Sequence, residues 1–448
     1  MEQPTGEGLI RAIRRWDLVA LTINCIIGAG IFGLPSAVFA RIGVYSLAAF
    51  LVCGVAVTLI VLCFAEVSSR YRDTGGPYLY ARDAFGPLVG FEVGWTTWIS
   101  RLAAFAANCN LLVSYFAFFV PEAETQVWRA VIITAVVAGL AIVNIVGVRD
   151  AAIVSNVLTA AKLAPLALFV VVGCFFIEPA NFAPGPLPTY GNFSVSVLLL
   201  LYAFVGFEMA VIPSGEFRDP GRDLPRAMLA GLAVVLGFYM LIQLVAVGTL
   251  PGLGDSDRPL ADAASGFLGP LGAALISAGA LISILGNLHV IMLVAPRLLF
   301  AMAERRELPK LLAATHPRFH TPHVAIAGTA AVMLALSLSG TFVYAATVSV
   351  IARLFGYATT CLAVPVLRRA PQASPATFKV PAGTTVCVIA LLLVAWLLSN
   401  STASQARDTA IAIAIGSLIY AASRVAASKA KGQRGNPNKR NDQKQQAR

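Results

Sequence analysis

Apolar stretches dominate this chain, and they recur at lengths that a lipid bilayer would set. A hydrocarbon core about 30 Å thick is crossed by about 20 apolar residues in helix. Runs that meet this lie at 17–41, 44–69, 87–120, 127–147, 153–177, 192–214, 226–250, 268–303, 322–340, 341–367, 383–400 and 407–427. The pattern predicts an all-α membrane protein of about 12 transmembrane helices. The narrowest boundary is Ser339-Gly340-Thr341, between the ninth and tenth runs. The polar, basic segment 1–16 precedes a run too long for a signal h-region and without a small-residue cleavage site, so the first run reads as a retained helix.

Composition excludes the soluble alternative. The chain is 58% hydrophobic and 12% charged, with mean hydropathy +0.78, against about 25% charged residues in soluble domains. Placing both termini in the cytoplasm puts 26 of the 33 basic residues inside. Arg41, Arg129, Arg258 and Arg407 are left outside, and Arg101, Lys162 and Arg353 fall within helices. Such a bias fixes the orientation and makes the chain a multi-pass protein of the plasma or inner membrane. The net charge of +11 is then mostly topology, so no nucleic-acid partner is expected. The basic tail 428–448 has almost no apolar residue and reads as disordered in the cytoplasm, either solvated or touching anionic headgroups. Seven cysteines lie scattered in apolar stretches with no CxxC pair, which predicts buried free thiols and no metal site.

Two of the runs are poorly built as continuous helices. The first contains Gly28-Ala29-Gly30-Ile31-Phe32-Gly33 before Leu34-Pro35, and the sixth reads Tyr202-Ala203-Phe204-Val205-Gly206-Phe207-Glu208 with Pro213 beyond. Glycine clusters and proline break helices, and inside lipid a broken backbone is tolerated only in a cavity or within protein. A close-packing glycine face is the competing reading for the first helix. The two breaks are five helices apart, and an odd offset inverts the second block. Paired breaks of this kind point to a transporter site at the membrane midplane. The organisation is then a first inverted repeat over 17–177, a second over 192–367 and two added helices over 383–427. Amides near Ala29, Gly30 and Ile31 at the start of a half-helix suit a carboxylate. Unwound carbonyls suit an ammonium group, so together the breaks match an amino-acid zwitterion.

The order and spacing of several motifs resemble the amino acid–polyamine–organocation transporter superfamily, with its LeuT-type fold of a 5+5 inverted repeat and broken helices 1 and 6. They are Ile27-Gly-Ala-Gly-Ile-Phe-Gly-Leu-Pro35, Phe64-Ala-Glu-Val-Ser-Ser-Arg70, Thr74-Gly-Gly-Pro-Tyr-Leu-Tyr-Ala-Arg82 and Phe204-Val-Gly-Phe-Glu208. Asp219-Pro220, Asp223-Leu-Pro-Arg226, Leu308-Pro309, His316-Pro-Arg-Phe and Thr321-Pro322 follow in order. The resemblance covers roughly residues 10–425. It implies a carboxylate on the amides of Ala29 and Gly30 and an ammonium on the carbonyls of Ile26, Tyr202 and Val205. Tyr202 would close the outer side, Phe207 would follow it in the site, and Ile291 would stand where related arginine/agmatine antiporters have tryptophan. A pocket without that tryptophan argues for a neutral substrate. Ala104, Ala107 and Asn108 would shape the side-chain pocket.

The charges inside helices carry the remaining chemistry. A lysine at the bilayer centre is expensive and should face the interior with a partner. The resemblance implies that Lys162 replaces a sodium ion and bonds the broken first helix near Ile26 or Ile27, as a proton carrier or as a permanently charged strut. Glu208 is expected to gate or carry a proton, or to hydrogen-bond helix one. Arg101 and Arg353 are expected to pair with Glu66 or Glu92 or to face a vestibule, and His289 to be packed and neutral. No nucleophile–base pair and no GxxxxGK[ST] motif is present, so neither an enzyme nor an ATP-driven pump is predicted, and no cofactor. A sensor built on the transporter fold is a remote alternative. The loop 120–128 has no cysteine for a heavy-chain partner, so no obligate protein partner is expected. Secondary active transport by proton-coupled uptake of neutral amino acids is the resulting expectation, with an amino acid/polyamine exchanger as the alternative.

Overall fold

A computed structural model describes residues 15–72, 75–146, 151–212, 214 and 218–434; for 151–161 and 426–434 it describes the backbone alone. The segments 1–14 and 435–448 lie outside, as do Thr74 and Pro213 of the sequence reading. Among the described residues there are α- and 3-10 helices and no strand.

Each predicted apolar run falls on one helix or one broken pair. The first run is α1 (Arg15–Ile26) and α2 (Gly30–Ile42), and the second is α3 (Ser46–Ser68). A helix the sequence reading did not predict, α4 (Pro77–Phe85), follows. Then come α5 (Pro87–Phe116), α6 (Gln126–Val146) and α7 (Ala151–Gly173). The sixth run is α8 (Tyr190–Phe204) with α9 (Phe207–Ala210). The rest are α10 (Pro220–Thr249), α11 (Pro259–Glu304), α12 (His323–Ser339), α13 (Phe342–Arg369), α14 (Gly383–Ser399) and α15 (Ala403–Arg434). The narrow boundary holds, because Thr341 ends the gap after α12 and its hydroxyl accepts the Tyr344 N–H to start α13. The last helix continues past residue 428, where the sequence reading begins the tail.

Seven helical spans of the described residues are long and apolar enough to cross a membrane, against the twelve expected. One of the seven joins α2 and α3, and three more apolar helices are shorter, covering 162–176, 323–339 and 383–399. The shortfall has physical causes. The first run is split into two pieces of 12 and 13 residues, and α5 dilutes its apolar character with Glu92, Arg101, Asn108 and Asn110.

The helices pack around α5, which contacts α13, α11 and α12. The two broken pairs touch each other, α1 against α9 and α2 against α8. By contrast α6 and α15 show apolar side chains outward, including Val127, Trp128, Val131, Ile142, Ile411, Ile415 and Leu418. Apolar side chains exposed on this scale suit lipid, not water. Pro165 lies inside α7, and its ring packs where Gly279 of α11 has no side chain. In α11, Gly269 takes φ +67° just before Pro270, so the helix turns there.

Candidate functional site

The first break spans Ile27-Gly28-Ala29. The leading N–H groups of α2 have no acceptor within their own helix, except that Phe32 donates to the Ala29 carbonyl at 3.0 Å. The second break is Val205-Gly206. Gly206 takes φ +119°, and a Cβ there would lie 2.1 Å from the Cys25 carbonyl oxygen. No other residue type fits, because this left-handed backbone is pressed against the end of α1. Tyr239 of α10 binds the two breaks together, donating to the Ile26 carbonyl at 3.3 Å and the Ala203 carbonyl at 3.2 Å.

Lys162 is 9% exposed and sits between α7 and the first break. Its Nζ donates to the Asn24 carbonyl at 2.8 Å and the Ile27 carbonyl at 2.7 Å. The partner is the broken helix, as the resemblance implied, with Asn24 in place of Ile26. Together with Tyr239, the ammonium takes up carbonyls that the end of α1 leaves unpaired.

Glu208 does not bond helix one. Its Oε2 accepts the Gly206 N–H at 2.9 Å and the Tyr357 hydroxyl at 3.0 Å, so the side chain caps the second half of its own broken helix. Its Oε1 accepts Arg353 Nη1 at 2.6 Å and lies 3.7 Å from Arg101 Nη2. Arg353 Nε also donates to Ser100 Oγ at 2.9 Å, and Arg101 Nη2 contacts Met209 Sδ. All three charged side chains are buried, with exposures of 5% (Glu208), 6% (Arg101) and 7% (Arg353).

The expected partners of these arginines are therefore corrected. Glu66 is held elsewhere, by Arg368 through two bonds of 2.6 Å and by the Val380 N–H at 2.9 Å. Glu92 accepts from Ser417 at 2.7 Å, which ties α5 to α15. The geometry explains the difference, since Arg353 and Tyr357 are one turn apart on α13 and face the broken helix together. That spacing of polar residues in an apolar helix was a readable signal. At the helix ends, Tyr78 donates to Glu307 at 3.1 Å, and burial pushes the Glu307 carboxyl above its usual range against the pull of Tyr78 and Arg82.

The remaining predicted residues sit as follows. Ala29, Gly30 and Ile31 are buried at the start of α2, and Gly30 faces Ala203, where a Cβ would lie 2.9 Å from its Cα. The close-packing reading thus describes Gly30 directly. Gly28 faces Asn287 of α11, a residue sequence reasoning missed, and buried Ile291 lies one turn further along that helix. Tyr202 donates to Asn108 Oδ1 at 2.8 Å and to the Ala104 carbonyl at 3.3 Å. Its ring meets Phe342 edge-on, 6.1 Å between centroids. Phe207 packs on Phe64 and Tyr357. Val205 and His289 are half-buried. Of the cysteines, Cys174 just past the end of α7 is exposed and Cys25 in the last turn of α1 is half-buried. Arg297, counted above with a cytoplasmic loop, lies in α11 and donates to Asn144 at 3.0 Å.

Beyond Phe342 a cavity of about 460 Å³ opens between the ends of α2, α5 and α13. Gly33, Asn110, Arg129, Asp255 and Phe342 line it. It stops short of the buried breaks. Two touching helix breaks, one capped by a carboxylate and one held by a lysine, form a polar centre inside an apolar bundle.

A family model described as amino acid permease matches residues 13–421. The chain belongs to the amino acid permease family. Relatives extend along nearly its whole length. A methylthioribose transporter of Bacillus subtilis (strain 168) is 29% identical over 93% of this chain and 94% of its own. The serine/threonine exchanger SteT of the same organism is 29% identical over 91% and 95%. The branched-chain amino acid permease BcaP is 26% identical over 88% and 89%. The permease family is one of membrane transporters and not of enzymes, so the superfamily resemblance drawn from the motifs holds. With its membrane-length apolar helices, this permease is a multi-pass membrane protein.

Proposed function

We propose that this permease carries amino acids across the plasma or inner membrane by alternating access, with the substrate held between the two helix breaks. The observation that carries this is the direct contact of the broken pairs around Gly206. The amides of Ala29, Gly30 and Ile31 take the substrate carboxylate, since they stand at a helix N-terminus. The carbonyls of Ile26, Tyr202 and Val205 take its ammonium. Tyr202, Phe207 and Ile291 wall the site, with Phe342 between it and the outer cavity.

In this reading the chain forms twelve spans, arranged as a 5+5 inverted repeat plus two helices, with both termini cytoplasmic. Lys162 couples a proton to uptake. While charged it clamps Asn24 and Ile27, and deprotonation releases the first half-helix. Glu208 and Arg353 hold the other broken helix closed. Ile291 in place of a stacking tryptophan, together with the buried cations near the breaks, supports a side chain without positive charge, the neutral ones included. No cofactor and no obligate protein partner enters this cycle.

Exchange is the second reading. It is favoured by Lys162's two short bonds, which suit a permanent strut, and by the exchanger among the relatives. The methylthioribose transporter among them makes a sugar the competing substrate. A thermal-shift panel on purified protein, with the twenty amino acids, common polyamines and methylthioribose, tests the substrate class, and uptake with and without an inside-alkaline gradient separates symport from exchange. A ligand at 100 times its dissociation constant stabilises by about 2.7 kcal/mol. A shift with amino acids supports the proposal, and a shift with methylthioribose alone refutes it.

A further inference from the structure

We infer that the site contains a subsite for a side-chain carboxylate, built from Arg101 and Asn108 of α5, so that the preferred substrate is an acidic amino acid. This rests on the amino-acid reading above and sharpens it.

The first observation is an imbalance of charge. Lys162, Arg101 and Arg353 converge on the two breaks, and Glu208 is the one carboxylate the described residues bring to them. Glu66, Glu92 and Glu307 are buried too, but Arg368, Ser417 and Tyr78 hold them elsewhere. Arg353 takes Glu208 at 2.6 Å, which leaves Arg101 a looser ion pair to the same carboxylate at 3.7 Å, outside hydrogen-bond range. Its other polar contact among the described residues is the Met209 thioether, a weak acceptor. A guanidinium carries five donors and keeps its charge. Burying one with so little compensation is costly unless something else supplies acceptors.

The second observation is independent of charge. Asn108 is fully buried, and its Nδ2 has no acceptor among the described residues, while its Oδ1 takes the Tyr202 hydroxyl. Arg101, Ala104 and Asn108 follow at i, i+3 and i+7, which lines them along one face of α5. The Cα atoms of Arg101 and Asn108 are about 10 Å apart along the axis, with the small Ala104 between them. Tyr202 bonds both Ala104 and Asn108, and Arg101 reaches Glu208 and Met209 just past the second break. This face of α5 therefore borders the space where a side chain would project. An unpaired amide donor and a guanidinium held only by a loose ion pair and a thioether, in a surplus of positive charge, match a carboxylate. A cationic side chain would add to the surplus, and a neutral one would leave it uncompensated.

The test is competition against labelled amino-acid counterflow in proteoliposomes. The competitors are glutamate, aspartate, glutamine, asparagine, serine, leucine and arginine, with chloride present or replaced by gluconate. An acid should compete at least about tenfold better than its own amide, a difference of about 1.4 kcal/mol. Arg101→Gln should bring that ratio near one, and Arg101→Lys should keep part of the preference. Glutamine, serine or leucine matching or beating glutamate in the wild type overturns the subsite but leaves amino-acid transport standing. The wild-type ratio decides this even if Arg101→Gln does not fold. Neutral substrates that compete only with chloride present overturn it as well, since a free anion then fills the place. Competition by no amino acid at all refutes the transport reading with it.

Discussion

Replacing Lys162 with methionine removes one charge and two bonds while keeping most of the side chain's volume. The lost bonds, to Asn24 at 2.8 Å and Ile27 at 2.7 Å, are charge-assisted and worth about 1.5–3 kcal/mol each. Against this, the protein no longer buries an ammonium, whose effective penalty is several kcal/mol. The two effects nearly cancel, so Lys162→Met should fold, with its midpoint within about 2–4 °C of wild type, the shift that about 1 kcal/mol gives in a large domain. Transport should not survive so evenly. One pH unit corresponds to 1.36 kcal/mol, about a tenfold concentration ratio. Wild-type proteoliposomes with an inside one unit more alkaline should accumulate substrate up to about tenfold if one proton moves with each molecule. Lys162→Met should still exchange labelled for unlabelled substrate but show no accumulation above equilibrium. Mutant accumulation equal to wild type would refute the coupling role. Wild-type uptake that ignores the gradient would refute it too and favour the exchanger.

Three further outcomes follow from the geometry. Glu208→Gln leaves Arg353 and Arg101 facing each other in the core, and removing one partner of a buried pair costs about 3–5 kcal/mol; the thermal midpoint should fall sharply, and Glu208→Gln with Arg353→Gln should recover part of the loss. Gly30→Ala meets the Ala203 backbone at 2.9 Å and should lower stability, whereas Gly28→Ala meets only the end of the Asn287 side chain and should fold while binding substrate more weakly by calorimetry. A cysteine at exposed Asp257 should react with an impermeant maleimide from outside intact cells and one at exposed Ser374 only after permeabilisation; reversed labelling would overturn the orientation.

The sequence exposed the helices and both breaks because each is a local property. Length and apolar content mark a helix suited to lipid, and Gly28, Gly30, Gly33 and Pro35 mark an interruption within six or seven positions of each other. Lys162 was readable for a similar reason: a buried cation needs acceptors, and a broken helix leaves carbonyls free. What stayed hidden depends on which helices meet. Arg101, Arg353 and Glu208 are more than a hundred residues apart in pairs, and nothing local says that Arg368 claims Glu66 first. Tyr239 and Asn287 look like ordinary polar residues of long apolar helices until the fold sets them against the first break. The short α4 carries too few turns for a periodicity, although Gly76-Pro77 at its start and Gly86 at its end frame it. Gly30 shows the opposite limit: a glycine at the mouth of a site and a glycine packed on a neighbouring backbone look the same in sequence, and here the packing on Ala203 is visible.

The central claim is that the substrate lies between the two breaks, and a structure of the protein with its transported amino acid bound tests it directly. The account predicts the carboxylate within hydrogen-bond distance, about 2.7–3.2 Å, of the Ala29 and Gly30 amides, and the ammonium on the carbonyls of Ile26, Tyr202 or Val205. A substrate found only in the cavity beyond Phe342, beside Asn110 and Arg129, with both breaks unoccupied, would contradict it.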